Sequence, residues 1–312
     1  MVKNTNLHKA KNAKNDEFYT QLTDVAKELM HYKKHFKDKI VLCNCDDPMW
    51  SAFWKYFHLN FAELGLKKLI STHYDREEAT YKMEYTGGDD NDIEAGIKTP
   101  LEGNGDFRNQ ECLDLLDECD IVVTNPPFSL FREYVAVLME HEKKFLIIGN
   151  KNAITYKEFF PLLKDDEVWI GCTNVKEFLQ PDGSIKKFGN IGWFTNLDVA
   201  KRHEKLILWK KYTPEEYPTY DNYDAINVDK VSKIPCNYDG VMGVPITFLD
   251  SYCPEQFEII WQASGNTRAC CPHTILYDEL QYIQHSEDRG DCGVVNGKRV
   301  YSRILIRKKV GA

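Results

Sequence analysis

The chain has 312 residues, 43% of them hydrophobic and 28% charged, and a formal net charge of −8. This composition is typical of a globular protein of one large or two modest domains, and the negative charge argues against non-specific coating of nucleic acid. No apolar run approaches the roughly 20 residues that span a bilayer, and the first residues lack the apolar core of a signal peptide, so we expect a cytoplasmic protein without a membrane. The ten cysteines lie scattered in apolar stretches, which favours reduced thiols over a disulfide framework.

The first part of the chain predicts a basic arm followed by alternating helices and strands. Residues 1–15 form the arm, and apolar spacing predicts a helix over residues 24–36. A buried strand is predicted at 39–44. It runs into a polar turn, and an aromatic-rich helix over 50–64 follows with Pro48 in its first turn.

The next stretch predicts a second strand, an irregular excursion and a short helix. The strand, residues 68–75, ends in the carboxylate of Asp75. Residues 76–100 are polar and contain glycines, which predicts a long excursion or an irregular hairpin. A short helix around residues 112–116 then leads to a further strand.

The elements after residue 128 continue this alternation. They are a helix at 130–141, a strand at 144–149, a helix at 156–163 and a pair of strands at 167–171 and 191–195. The pattern predicts an α/β fold with a doubly wound, mostly parallel, Rossmann-like sheet.

The segment 120–128 carries the clearest chemical signal in the chain. Its apolar first half predicts a buried strand, and two prolines without amide hydrogens end that strand's hydrogen-bond ladder. A rigid Asn125-Pro126-Pro127-Phe128 loop therefore lies at the carboxyl end of a strand, where open α/β sheets bind ligands. The Asn125 amide oxygen and the Pro126 carbonyl would accept the hydrogens of an adenine amine, freeing its lone pair to attack a sulfonium methyl group, while Phe128 would stack on the base. The alternative is an ordinary proline-rich loop with Phe128 in the core.

Three further features match a nucleoside-sulfonium cofactor bound across the strand ends. Asp75 is placed to accept hydrogen bonds from ribose hydroxyls, as an acid does in dinucleotide folds. Asp106 would accept from an adenine amine while Phe107 covers the adenine face. The turn after the first strand would hold the methionine end, with a carboxylate attracting its amino group, through Asn44, Cys45, Asp46, Asp47 and Pro48. A surface acid and an ordinary Gly-Asp-Phe turn are the alternatives.

With these residues, the chain resembles the adenine-N6 DNA methyltransferases, and closely the EcoRI-type modification methylases. The likeness covers at least residues 8–130, and its matching pieces are residues 16–21, 43–48, 67–70 and 120–128. It implies S-adenosyl-L-methionine as the cofactor, with a pocket lined by Phe18, Tyr19 and Thr20. The turn at 44–48 departs from the wider superfamily because it has no glycine, and we interpret it as a variant loop of the EcoRI-type branch.

The resemblance also implies double-stranded DNA as the substrate, with a methyl group transferred to N6 of an adenine that has left the base stack. Alternating residues over 300–307 predict a strand beneath a C-terminal basic cluster. Two basic clusters would hold phosphates, through Lys9, Lys11, Lys14, Arg299, Arg303 and Arg307. Solvated tails are the alternative. The setting would be a restriction-modification system, or orphan or phage modification, and any cognate endonuclease would form no stable complex with this chain.

We therefore predict three parts: the basic arm at 1–15, a methyltransferase catalytic domain at 16–200 and a DNA target-recognition region at 201–312. The last part is predicted from a change of texture after residue 200, where prolines and tyrosines lie among Asp and Asn, as in recognition loops. Its tyrosines include Tyr212, Tyr217, Tyr220 and Tyr223.

Other functions stay open from the sequence alone. An Asn-Pro-Pro-aromatic loop also serves N-methyltransferases of RNA adenine or protein glutamine. A catalytically inactive DNA-binding relative is a further alternative, against which the intact loop and Asp106 argue. A zinc site lacks the usual ligand spacing, so we expect no metal at Cys270, Cys271 and His273 with Cys253 or Cys292.

Overall fold

The computed structural model describes residues 19–45, 47–75, 79–179, 184–265, 267–290 and 292–311. The described chain forms two compact units. The first unit runs to Ala153 and also contains Ile170–Asp198, and the second unit combines Ile154–Trp169 with the chain from Val199 onward. The predicted basic arm lies outside the described residues. No helix of the described chain has the length and apolar character needed to cross a membrane.

A nine-stranded sheet forms the centre of the first unit. Its strands are β1 (Tyr19–Thr20), β2 (Ile40–Cys43), β3 (Lys68–Thr72), β4 (Tyr81–Tyr85), β5 (Ile97–Pro100), β6 (Ile121–Thr124), β7 (Lys144–Asn150), β8 (Trp169–Leu179) and β9 (Ile185–Thr195). They lie in the order β1-β8-β9-β7-β6-β2-β3-β4-β5. The predicted strands at 39–44, 68–75 and 144–149, and the strand in the first half of 120–128, are confirmed within a few residues. The second of them ends at Thr72, so Asp75 lies in the loop after the strand. The strands β8 and β9 are neighbours as predicted, but each has 11 residues.

The parallel part of the sheet is confined to its centre. Strand β2 pairs in parallel with β3 and β6, and β6 with β7. All four residues of β2 and of β6 are buried, which explains their continuous apolar runs. The flanking pairs are antiparallel, including the predicted excursion, which forms the hairpin β4–β5. The α/β prediction is confirmed, but the sheet is mixed because hairpins extend it on both sides.

Five helices of the first unit are α1 (Leu22–Leu29), α2 (Ala52–Leu59), α3 (Phe61–Leu64), α4 (Gln110–Glu118) and α5 (Phe131–Glu140). The predicted helix over 24–36 ends at Leu29, and only a short 3-10 turn, Lys33–His35, follows. The predicted helix over 50–64 begins at Ala52 because Ser51 caps it, accepting hydrogen bonds from two backbone amides. Pro48 therefore precedes the helix and is not in its first turn.

The order of the parallel strands defines a switch point. The chain passes from β2 to β3 on one side, and later returns to form β6 on the other side of β2. Open α/β sheets bind ligands outside the carboxyl ends of the two strands at which the order reverses. The loops after β2 and β6, which contain most of the predicted site residues, leave the sheet at this point.

The second unit has a smaller sheet of its own. Strands β10 (Ile226–Asn227), β11 (Met242–Pro245), β12 (Phe257–Ala263) and β15 (Arg303–Lys308) form the order β10-β11-β15-β12, and β13 (Val294–Val295) pairs with β14 (Lys298–Arg299). The helices are α6 (Phe160–Lys164), shorter than predicted, and α7 (Thr267–Cys270). The predicted strand at 300–307 is confirmed as β15.

The tyrosines of the second unit are mostly core residues. Tyr217, Tyr220 and Tyr223 are buried, and the role of this segment as a recognition region stays a prediction. The segment is irregular, as predicted, because it contains no strand until β10, but its aromatic rings supply the apolar volume that a small sheet needs.

Candidate active site at the switch point

The catalytic-loop candidate begins where β6 ends. Asn125 directly follows Thr124, and its side chain is 9% exposed. Pro126 is also buried, whereas Pro127 and Phe128 are half-buried. Phe128 opens a short 3-10 turn closed by a hydrogen bond from the Leu130 amide to the Pro127 carbonyl (2.9 Å). The predicted strand end at the two prolines is confirmed, and the catalytic roles stay predictions.

Two hydrogen bonds join the turn after β2 to the strand and the helix that flank this loop. The Thr124 hydroxyl donates to the Asn44 carbonyl, and the Tyr134 hydroxyl on α5 donates to the Asn44 side-chain oxygen. The Tyr134 ring also packs edge-on against Phe107, with 4.9 Å between the ring centroids. Burial raises the pKa of Tyr134 well above its ordinary value, so its hydroxyl keeps the proton that it donates. Tyr134 thus joins the turn of Asn44 to Phe107, and the Thr124 bond joins the same turn to the strand that precedes Asn125.

The turn after β2 is held in a strained and well-bonded shape. Cys45 has a φ of 73°, in the left-handed region that favours glycine. The Asp47 carboxylate accepts hydrogen bonds from the Tyr81 hydroxyl (2.7 Å) and the Met49 amide (2.9 Å), and His73 Nδ1 lies 3.4 Å from it. Burial, then the bond to Asp47, raises the pKa of Tyr81 above its ordinary value. Asp46 lies outside the described residues.

The segments that contain Asp75 and Asp106 are in contact. The Asp75 amide donates to the Asn104 carbonyl (3.2 Å). Gly105 approaches the chain after β3 so closely that a Cβ atom there would lie 2.2 Å from the His73 carbonyl oxygen. The two oxygens of Asp106 accept hydrogen bonds from Arg108 (2.9 and 2.7 Å). An adenine amine would therefore share the Asp106 carboxylate with a guanidinium group.

The predicted cofactor-lining segment also reaches this region. Phe18 lies outside the described residues, while Tyr19 and Thr20 form β1, which pairs with β8 at Leu179 and Phe178. The Phe178 ring contacts Phe128 edge-on at a centroid distance of 6.2 Å. It contacts the Phe188 ring on β9 at 5.5 Å. The Phe178 side chain thus joins the strand of Thr20 to the candidate catalytic loop.

Two buried hydroxyl groups fit a polar ligand at these strand ends. The Thr20 and Thr72 hydroxyls are buried, and neither has a hydrogen-bond partner among the described residues. A buried polar group without a partner costs about 1–3 kcal/mol, which a ligand that accepts or donates a hydrogen bond would offset. With the carboxylates of Asp47 and Asp75, this set fits a cation that carries ribose hydroxyls and amines. S-adenosylmethionine has that chemistry.

The described residues offer no comparable fit for a metal. Nowhere in them do three or more His, Cys, Asp or Glu side chains form a group that could hold a metal ion. None of the ten cysteines, all of which are described, forms a disulfide.

The predicted phosphate-binding arginines differ in their surroundings. Arg299 on β14 is exposed. Arg303 donates to the Asn227 side chain (3.3 Å) and to the Tyr301 carbonyl (3.1 Å). Arg307 lies between Glu258 (2.5 Å) and Glu279 (2.8 Å). Because these two carboxylates already pair with its guanidinium group, Arg307 is a poor candidate for a phosphate contact. The predicted Lys9, Lys11 and Lys14 lie outside the described residues.

Four side chains of this region are not among the predicted site residues: Thr72, Tyr81, Tyr134 and Phe178. Only Tyr134 had a detectable signal. It lies on the apolar stripe of α5 with the buried Phe131, Val135 and Leu138, where a hydroxyl needs a buried partner.

A mixed α/β sheet whose parallel centre ends in an Asn-Pro-Pro-Phe loop at the switch point is consistent with a methyltransferase fold. The chain belongs to the EcoRI methylase family, because the model of that family, described as adenine-specific methyltransferase EcoRI, matches residues 6–309.

Curated relatives match along nearly the whole chain. The Type II methyltransferase M.EcoRI of Escherichia coli is 44% identical, over 97% of this chain and 96% of the relative. The Type II methyltransferase M.MpnI of Mycoplasma pneumoniae is 39% identical, over 97% and 98%. A third, M.MgeORF184P of Mycoplasma genitalium, is 36% identical over the same shares. No solved structure matches the chain.

Proposed function

We propose that the protein is a site-specific DNA methyltransferase that transfers the methyl group of S-adenosyl-L-methionine to N6 of an adenine in duplex DNA. The observation that carries this proposal is the Asn125-Pro126-Pro127-Phe128 loop at the end of β6, joined to the Asn44 turn at the switch point. The names of the relatives, all Type II methyltransferases, support it, as does the adenine specificity in the family's description.

In this proposal Asn125 and the Pro126 carbonyl accept the two hydrogens of the adenine amine. Their pull moves the nitrogen toward tetrahedral geometry and frees its lone pair. Bound S-adenosylmethionine would supply an electrophilic methyl carbon to this lone pair and would leave as a neutral thioether, and the methylated amine would release one proton to water. Asn125 and Pro126 are buried, and each 1.36 kcal/mol by which such acceptors lower the barrier is worth about tenfold in rate.

The cofactor would be held by the strand ends beside this loop. Asp75 would accept from the ribose hydroxyls, and Asp47 would attract the methionine amino group. The Thr20 and Thr72 hydroxyls would find partners in the same ligand. Asp106, with Arg108 beside it, and Phe107 would border the cofactor's adenine.

The DNA would be held mainly through its phosphates, and the target adenine would leave the stack and rest against Phe128. Flipping costs a few kcal/mol, which stacking and edge hydrogen bonds offset. Exposed Arg299 and the lysines before residue 15 are the proposed phosphate contacts, and the region after residue 200 is the proposed recognition module. A partner endonuclease in a restriction-modification system, and action in the cytoplasm, belong to the same proposal.

The test starts with methyl transfer. Purified protein with radiolabelled S-adenosylmethionine should label unmethylated genomic DNA, and sequencing of the product should show modified adenine at one short site. Labelling of RNA or of protein glutamine alone would support those alternatives, and no labelling of any substrate would support an inactive relative.

Asn125→Ala should then lower the turnover rate at least about 10²-fold, because one aimed acceptor is lost. Cofactor affinity, measured by calorimetry, should stay within about threefold of the wild type. Asn91→Ala, which changes an exposed asparagine between β4 and β5, is the matched control. Wild-type turnover by Asn125→Ala would remove this side chain from the mechanism.

A further inference from the structure

The second unit presents an extended segment with an unusual surface, residues 205–211, which we name the Trp209 strip. Its exposure alternates. Leu206 and Leu208 are half-buried, whereas Ile207 is 90% exposed and Trp209 is 67% exposed. Large apolar side chains that lie together on the surface mark an interaction site more often than isolated ones do.

The strip is fixed along its length by hydrogen bonds of its backbone. The Leu206 amide and carbonyl both bond to the Gln256 side chain (2.7 and 2.9 Å). The Lys210 carbonyl accepts from the Cys236 amide (2.8 Å). Just beyond the strip, the Tyr212 amide donates to Asn237 (2.7 Å). Ile207 and Trp209 are therefore held in a set geometry between anchored neighbours, so their exposure does not come from a frayed end.

The charges on the strip favour a polyanion as its partner. Its seven residues include Lys205, Lys210 and Lys211 and no acid, in a chain with a net charge of −8. The Lys210 ammonium lies 5.1 Å from the centroid of the Trp209 ring and 3.6 Å from a carboxylate oxygen of Glu216. Lysines beside an exposed aromatic ring combine phosphate attraction with a stacking surface, the pairing that nucleic-acid-binding grooves use. A symmetric contact with a second copy would instead bring the same lysines together.

We propose that the Trp209 strip contacts DNA, with Ile207 and Trp209 against bases or deoxyribose and Lys205 and Lys211 at phosphates. The inference rests on the proposed DNA methyltransferase function and adds a specific contact surface to it.

The test uses the full-length protein and a fluorescein-labelled duplex that carries the site found by sequencing its methylated products. Trp209→Ala should weaken DNA binding at least about tenfold by anisotropy, because base stacking is removed, while Trp209→Phe should retain most of the affinity. Ile283→Ala is the matched control, since Ile283 is a 69% exposed apolar residue elsewhere in the second unit, and it should bind like the wild type. Calorimetry should show unchanged cofactor affinity in all four proteins.

The lysines have a separate readout. The double substitution Lys205→Ala and Lys211→Ala should reduce the slope of log affinity against log salt concentration by about 0.9 for each phosphate that these lysines neutralise. Suppose that the wild type methylates the duplex but that these variants keep the wild-type DNA affinity and salt slope. That result would overturn the proposed DNA contact of the Trp209 strip and leave the proposed function standing. A wild type that neither binds nor methylates DNA would overturn both.

Two other partners are also outcomes that overturn the inference. One is binding of the strip to phosphatidylglycerol vesicles with no effect of Trp209→Ala on DNA. The other is a dimer in sedimentation velocity that Trp209→Ala disrupts while DNA affinity stays at the wild-type level.

Discussion

Cys45 occupies a backbone conformation that side chains rarely adopt, in the turn where related folds use glycine. Its φ of 73° costs an ordinary residue about 1–2 kcal/mol, and a glycine almost nothing. Cys45→Ala and Cys45→Gly both remove the thiol, so their difference isolates the backbone.

We expect Cys45→Gly to be more stable than Cys45→Ala by about 1 kcal/mol in urea unfolding, the reverse of the order found in helices and strands. Equal stabilities, or a more stable alanine variant, would contradict a left-handed Cys45. Ala62→Gly, inside the short helix α3, should by contrast destabilise the protein, because glycine is the less stable residue in a helix.

Tyr134 supports the site through a single buried hydroxyl. Tyr134→Phe keeps the ring against Phe107 but removes the donor to the buried Asn44 side chain, at a cost of about 1–3 kcal/mol. Because Asn44 opens the turn proposed to hold the cofactor, we expect cofactor affinity to fall by about tenfold in calorimetry. Tyr56→Phe, a buried tyrosine of α2, should leave that affinity unchanged. An unaltered affinity in Tyr134→Phe would separate this hydroxyl from the cofactor site.

The predictable part of the site is its local part. Asn125 to Phe128 could be identified because the strand, the prolines and the aromatic ring are contiguous in sequence. The bond from Tyr134 to Asn44 joins residues 90 positions apart, and the contact of Phe128 with Phe178 depends on a hairpin packed beside the loop. Sequence spacing contains no information on such contacts, because they depend on strand order.

The neighbouring strands β3 and β4 contain a charged cluster around Glu84. Glu84 lies between Lys68 (2.5 Å) and Lys82 (3.0 Å). Partial burial alone would raise the pKa of Glu84, but the hydrogen bonds from the two lysines outweigh it and lower the pKa below its ordinary 4.5. A carboxyl with a lowered pKa in the folded state contributes stability above its unfolded pKa and loses it as the pH falls through the folded value.

Glu84→Gln should therefore reduce the free energy of unfolding by about 1 kcal/mol at pH 7, and the deficit should disappear well below pH 4.5 as the wild-type carboxyl is protonated. Urea titrations of both proteins from pH 7 to pH 3 measure this. Glu94→Gln, at an exposed position, should follow the wild type at every pH. A deficit that does not change with pH would show that the ion pairs do not stabilise the fold.

The elements that the sequence predicted well are those with one dominant signal. Buried parallel strands have unbroken apolar runs, and β2, β6 and β7 were predicted nearly to the residue. The sequence predicts strands that are shorter than the observed β8 and β9. For β9 the reason is that its first part is largely exposed and lysine-rich, so it lacks the apolar pattern of a strand. Ser51 shortened α2 because a side chain that caps a helix overrides the hydrophobic periodicity before it.

At the level of the whole molecule, the second unit takes one of its core segments from the middle of the first. Phe160 on α6 packs edge-on against Trp261 on β12, with 5.3 Å between centroids. Arg202 lies 3.9 Å from the centroid of the Trp169 ring and pairs with Asp166. No local pattern indicates that residues 154–169 belong to the second unit, because their sequence continues the alternation of helices and strands of the first unit.

A fragment that starts at residue 199 should therefore fail to fold. Loss of a buried phenylalanine alone costs about 3–5 kcal/mol, a large part of the 5–15 kcal/mol that typically stabilises a domain. Joining residues 154–169 to the fragment through a flexible linker should restore a cooperative urea transition, and the same fusion with Phe160→Ala should weaken it. A cooperative transition of the fragment by itself, at the same midpoint as the fusion, would contradict this account.

The separation in sequence between residues 154–169 and the rest of the second unit also delays folding of this unit during synthesis. Trp261 leaves the ribosome 101 residues after Phe160 (261 − 160), and at about 5–20 residues per second this delay is roughly 5–20 s. During that interval Phe160 on α6 remains exposed in the nascent chain, because the residue that it packs against has not yet been translated. We expect chaperones that bind exposed apolar segments to bind this helix during that interval, before the C-terminal strands have been synthesised.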